Sequence, residues 1–117
     1  MPEHIRFGKR GEDLATLWLE KKGYQILARN WRYRRFEIDI IASKNNLLHF
    51  IEIKSRHGLV FGLPEESVSE KKLINILEAA EEYQFLHPEW ERIQFDILAI
   101  TEMKTSTEYF LIEDVYL

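Results

Sequence analysis

The sequence predicts an α/β fold: a mixed β-sheet flanked by helices, in the order α-β-β-β-α-β-β, forming one domain over residues 1–117. Three observations predict it. Residues 8–22 and 70–86 carry apolar side chains at three- and four-residue spacing, the period of an amphipathic helix. Residues 36–56 hold two apolar runs on either side of Ser43-Lys44-Asn45-Asn46, the pattern of a β-hairpin. The second helix falls between that hairpin and an apolar strand at 92–100, as in a right-handed crossover between parallel strands.

In the first helix, Leu14, Leu17, Trp18 and Lys21 form the stripe, with Ala15, Leu19 and Lys22 beside it. Gly23 suits the positive-φ position that ends a helix. Glu12 falls in the expected first turn, where the helix dipole favours an acid. Gly8 and Gly11 let the helix start approach other backbone, or DNA. The strand at 24–33 places Ile26 and Ala28 on one face, and Leu27, Arg29, Trp31 and Tyr33 on the other. Arg32, Arg34 and Arg35 then crowd the turn into the hairpin.

After the hairpin, Gly58, Gly62 and Pro64 break regular structure, predicting a loop over 57–67 that can wall a substrate cleft. His57 there reads as a solvent-exposed histidine or as a phosphate or metal contact. Ser69 suits the cap of the second helix. Its apolar stripe is Leu73, Ile76, Leu77, Ala80 and Tyr83, and His87-Pro88 ends it. Lys71 and Lys72 sit in its first turn, the end where the dipole disfavours cations. Such a placement suits either phosphate contact or plain solvation. The strand at 92–100 is apolar throughout except for Asp96, which predicts burial on both faces and a hydrogen-bonded structural acid. Residues 108–113 make the last strand.

The hairpin carries the chemistry. Asn tolerates the positive φ that tight turns demand, so the turn centres between Asn45 and Asn46. That register pairs Asp39 with Glu52, Glu37 with Lys54, and Ile41 with Phe50. It also puts Glu37, Asp39, Glu52 and Lys54 on one face. Two carboxylates across a ladder repel. A hard divalent cation between them turns the repulsion into ligation, and Mg²⁺ takes one or two protein carboxylates while keeping several waters. A lysine beside the metal and its water completes the equipment of metal-assisted phosphodiester hydrolysis. The alternative is a solvated face on which charges alternate by chance.

Composition narrows the function classes. With 117 residues, 45% hydrophobic and 31% charged, the chain reads as one ordinary globular domain. The absence of cysteine excludes disulfides and thiolate metal sites, and fits a cytoplasmic protein. The first residues, MPEHIRFGKRG, lack the apolar core of a signal peptide, and no apolar run approaches the ~18 residues of a membrane span. The net charge of −4 is unevenly spread: residues 1–35 carry +5 and residues 36–117 carry −9. Arg29, Arg32, Arg34 and Arg35, interleaved with Trp31 and Tyr33, suit contact with a nucleic-acid backbone. They equally suit arginine stems covering aromatic core residues.

Asp39 with Glu52-x-Lys54 resembles the active-site signature of the PD-(D/E)XK nuclease superfamily. The wider pattern is Gly8-x-x-Gly11-Glu12-x-x-Ala15, Gly23-Tyr24, Asn30-Trp31-Arg32 and Glu37-Ile38-Asp39. It continues through Phe50-Ile51-Glu52-Ile53-Lys54-x-Arg56, Phe61-Gly62, Lys72 and Phe95-Asp96. Together these resemble the YraN family of bacterial proteins, itself similar to archaeal Holliday-junction resolvases. Phe36 stands where that family usually has Gly, and Ile38 where the wider superfamily often has Pro. The resemblance implies a restriction-endonuclease-like core and a Mg²⁺- or Mn²⁺-dependent endonuclease acting on DNA. Asp39 and Glu52 would bind the metal, with the Ile53 carbonyl as a further donor, and Lys54 would orient the water and steady charge on the phosphate. It also points Glu12 towards the metal site. Glu37 would stand behind the ligands or tie Lys54, while Arg56 and Lys72 would contact phosphate. A non-catalytic nucleic-acid-binding module that keeps the fold is the alternative, and a pure protein-interaction domain is a third class. The sequence leaves open the form of the DNA and the oligomeric state, a homodimer included.

Overall fold

A computed structural model describes residues 3–57 and 70–115, with the side chains of residues 10–56 and 70–115. The elements follow the expected order: α1 (Glu3–Lys21), β1 (Gln25–Tyr33), β2 (Phe36–Lys44), β3 (Leu47–His57), α2 (Glu70–Leu86), β4 (Ile93–Glu102) and β5 (Thr107–Ile112). The expected loop with Gly58, Phe61, Gly62 and Pro64, the Ser69 cap and the His57 side chain lie outside the described residues.

The five strands form one sheet in the order β1-β2-β3-β4-β5. Neighbours are antiparallel except β3 and β4, the parallel pair that α2 bridges. The hairpin turn is as expected. Asn45 and Asn46 both have positive φ, 53° and 63°, the conformation of a type I′ turn whose twist matches the strands. The ladder then runs from Lys44 opposite Leu47, through Ile41 opposite Phe50, to Ile40 opposite Ile51.

Each face of the sheet has its own core. On one face α1 lays Ala15 and Leu19 against Ile40, Ile51, Leu98 and Ile100. On the other α2 lays Ile76, Ala80 and Tyr83 against Ile38, Ile41, Leu48 and Phe50. Residues 96–100 of β4 are buried on both faces, as its apolar run predicts. Gly23 closes α1 at φ 96°, and the Tyr24 amide reaches back to the Leu19 carbonyl at 3.0 Å.

Three expectations about local geometry are corrected. The helix α1 begins at Glu3, so Glu12 lies well inside it and the dipole gives no account of that acid. Its buried line runs through small residues, Gly11, Ala15 and then Leu19, while Leu17 is exposed. In β1 a bulge between Ile26 and Ala28 breaks the alternation. Ile26 therefore packs on the α1 side and Ala28 on the α2 side, and Arg29 reaches α1 while Trp31 and Tyr33 pack on the α2 core.

A β-carbon at Gly11 would collide with the Ser55 side chain of β3. At Gly11, α1 thus lies close against the strand carrying Glu52 and Lys54. Gly11→Val is expected to lower stability by roughly 1–3 kcal/mol through overpacking, and Ser55→Ala in the same chain to restore part of the loss. Urea denaturation of the single and double variants checks it; equal stability of Gly11→Val and the parent would refute the close approach.

Candidate active site

At Asp39 the strands β2 and β3 part. The ladder stops one residue earlier, at Ile40 opposite Ile51, so Asp39 is not a ladder partner of Glu52 as the sequence suggested. Instead the Ile53 amide donates to Asp39 Oδ2 at 2.8 Å. A side chain thus takes a bond of the kind the ladder would have supplied. The parting leaves room for the Asp39 carboxyl beside Glu52, close enough for a hydrogen bond between the two.

Glu52 is buried, with its side chain only 7% exposed. Lys72 of α2 brings Nζ to 2.6 Å from Glu52 Oε1, and Lys54 Nζ lies 4.0 Å from the same oxygen. Asp39, Glu37 and Glu52 line a cavity of about 300 Å³ with Arg35, Lys72 and Asn75. Phe36, the departure from the family pattern, forms part of its wall. The structure therefore brings together Asp39, Glu52, Lys54 and Lys72, with Arg35 at the same cavity.

Electrostatics sharpen the picture. Burial, and then the Glu52 charge, push the Asp39 carboxyl up to about 7, against the pull of the Ile53 amide and Lys72. Burial and the neighbouring Lys72 charge lower Lys54 from its ordinary value. Burial works to lower Lys72 too, but its hydrogen bond to Glu52 wins and the net shift is upward. Two acids and two lysines that shift one another's ionisation form the pattern that also occurs where charge has been concentrated for use.

Among the described residues no group of three or more His, Cys, Asp and Glu side chains is placed to hold a metal ion. The Asp39–Glu52 pair by itself fits a hard divalent cation: both donors are oxygens, they repel each other, and Mg²⁺ needs no more than two protein carboxylates. The pair would hold the ion, and water would complete its shell.

Glu12 is the residue least like the expectation. Its Oε1 accepts from Arg29 Nε at 2.8 Å and from Asn30 Nδ2 at 2.7 Å, and Asp13 takes Arg29 Nη2 at 2.6 Å. With Asp39, Ile53 and Ser55 it lines a second cavity of about 230 Å³. Asp39 thus borders both cavities, while Glu12 and Glu52 line different ones.

Glu37 does not tie Lys54; its Oε2 lies 3.2 Å from Arg32 Nη2. The arginines of the expected phosphate-binding group are dispersed. Arg29 is held by α1, Arg34 lies over the Tyr33 ring and Arg35 over Phe36. Trp31, partly buried, packs edge-on against Tyr83 at the margin of the α2 core. Arg56 stands opposite Thr101 in the β3–β4 ladder.

Sequence reasoning missed His49. Its Nδ1 lies 2.7 Å from Asp96 Oδ2, and both side chains are almost fully buried. Asp96 Oδ1 also accepts from Gln94 Nε2 and from the Asp114 amide, which bears out Asp96 as a structural acid. The available signal was one histidine in one apolar strand and one acid in another.

The Asp39 shift has a consequence for stability. Raised from its ordinary 3.8 to about 7, the carboxyl binds a proton in the folded chain that the unfolded chain has released. Its contribution is present below about pH 4 and is lost as pH rises through about 7. In metal-free buffer Asp39→Asn should therefore unfold at higher urea than the parent at pH 8, with the gap closing towards pH 4. A parallel pH profile for the two proteins would contradict the assignment.

The comparisons with known proteins agree on one family. Residues 11–100 match the model of the uncharacterised protein family UPF0102. The chain is 39% identical over 116 residues to a UPF0102 protein of Flavobacterium psychrophilum, covering 99% of this chain and 98% of the relative. It is 46% identical over 99 residues to a UPF0102 protein of Cytophaga hutchinsonii, covering 85% and 88%. A UPF0102 protein of Bacteroides thetaiotaomicron is 41% identical over 100 residues, covering 86% and 83%. By the match of its sequence to the family model and to these relatives across nearly all of their length, the chain belongs to the UPF0102 family.

Proposed function

We propose that this domain is a Mg²⁺- or Mn²⁺-dependent nuclease that hydrolyses DNA phosphodiesters, with a site of the PD-(D/E)XK type. One observation carries the reading: Asp39 and Glu52 are pressed together beside Lys54 and Lys72 at the open end of a hairpin. A solvated charge pattern would separate those acids, because their contact costs stability. No helix among the described residues is long and apolar enough to cross a membrane.

Asp39 and Glu52 would hold a divalent ion, which when bound would supply a water of lowered pKa and a positive charge at the phosphate. The Ile53 amide fixes the Asp39 carboxylate in place. Lys54, on the next outward position of the strand from Glu52, directs an ammonium group at the charge that builds on the phosphate. Arg35 at the cavity, Arg34 in the adjoining turn and Arg32 at the end of β1 offer charge to the flanking backbone. Glu12 lines the second cavity together with Asp39, its carboxylate held by Arg29 and Asn30.

A second reading is favoured by one specific contact. Lys72 already neutralises Glu52 without a metal, as in a binding module that has kept the fold and lost the reaction.

Mn²⁺ should raise the Tm of the parent, because a ligand of the folded state alone stabilises it, and should leave that of Asp39→Ala unchanged. Lys54→Ala should keep metal and DNA binding yet lose cleavage by roughly 10²-fold or more. Cleavage assays span duplex, flapped, four-way and single-stranded DNA at low salt. Binding of these without cutting, in Mn²⁺, would select the non-catalytic module. Full activity in Lys54→Ala would remove that lysine from the mechanism.

A further inference from the structure

The Glu52 carboxylate needs a positive partner, because an isolated charge so far from water is costly. In the metal-free protein that partner comes from α2. Lys72 Nζ sits at 2.6 Å from Glu52 Oε1, closer than Lys54 at 4.0 Å, although Lys54 is on the same strand. Lys72 does not owe its place to helix stability. It lies in the first turn of α2, where the dipole disfavours a cation and where Glu70 is the acid the dipole favours. Its side chain is 44% exposed, against 7% for Glu52. The acid is therefore fixed in the sheet, while its partner reaches in from a half-solvated position and can withdraw.

With Asp39 ionised, as metal ligation requires, Asp39 and Glu52 balance Lys54 and Lys72 in formal charge. A divalent ion that takes both carboxylates displaces Lys72 from the Glu52 oxygen and gives the site a positive surplus. The ammonium then lies at the rim of the same cavity, beside Arg35, where a phosphate would enter. From this geometry, and resting on the nuclease reading above, we infer that Lys72 is a tethered counter-ion that competes with the divalent cation for Glu52. On metal entry it is handed to the phosphate backbone of the substrate. Metal loading and substrate binding are thereby coupled through one side chain.

The test uses the full chain, with Lys72→Met removing the charge and Lys72→Arg keeping it. Calorimetric titration should show Lys72→Met binding Mn²⁺ roughly tenfold more tightly than the parent, a difference of about 1.4 kcal/mol. Without metal, Lys72→Met should unfold at a lower temperature, since Glu52 has lost its close partner. Lys72→Arg should behave as the parent in both. DNA affinity is then measured against salt, in EDTA and in Ca²⁺. For the parent the slope of log affinity on log salt should steepen by about one when Ca²⁺ is added, the signature of one more neutralised phosphate. For Lys72→Met it should steepen by about one less than for the parent.

Equal or weaker Mn²⁺ binding by Lys72→Met overturns the competition while leaving the nuclease reading standing. Tighter Mn²⁺ binding with the same salt response in both proteins upholds the competition and overturns the transfer to phosphate. If the parent takes up no Mn²⁺, the nuclease reading falls and this inference falls with it.

Discussion

The hydrogen bond from the Ile53 amide to the Asp39 carboxylate, 2.8 Å long, holds the hairpin open where β2 leaves β3. Had the ladder continued, a backbone carbonyl would be the natural acceptor for such an amide, and no carboxyl would need to enter the gap. With the strands parted, an acid takes the acceptor role and is carried into contact with Glu52. Burial of that carboxyl, and then its contact with Glu52, raise Asp39 to about 7, and the lysines gather around Glu52 beside it. On the proposed reading, removing the repulsion would stabilise the chain while removing the acids would remove the site, so stability and chemistry would pull in opposite directions.

The hairpin was legible because its signals are local. Two Asn residues at positive φ fix the turn, and the turn fixes the register from Lys44–Leu47 to Ile40–Ile51. The element order and the parallel crossover were legible for the same reason, since apolar period and spacing set them. The departures are all places where alternation fails. At Asp39 the ladder ends, and at Leu27 an extra residue enters β1. No residue type marks a bulge of this kind, so period-two reasoning carried Arg29 to the wrong face. The buried line of α1 was misread because Gly11 and Ala15 matter through their smallness, while the eye follows Leu17 and Trp18.

The candidate site was legible in its acids and less so in its cations. Asp39, Glu52 and Lys54 stand out through spacing along one hairpin. Lys72 stands out only as a cation at the wrong end of a helix, and nothing in the sequence says that it reaches Glu52. The arginines read as one group because they are neighbours in sequence. In space they are divided among α1, the turn aromatics and the cavity, each held by a different partner. His49 and Asp96 come from strands that are adjacent only through the crossover, so their pairing depends on tertiary structure.

The bulge in β1 also shapes how the molecule meets others. β1 is a terminal strand of the sheet, and a terminal strand offers unpaired backbone groups to any extended chain. A flat, regular edge is a template for self-association. The extra residue at Leu27 twists this one, Asn30 at φ 52° bends it again, and Arg29 and Arg32 are held by acids along it. A partner strand would have to match two irregularities and bring its own compensation for the charged side chains. The irregularity that defeats simple alternation therefore also guards the sheet margin against aggregation.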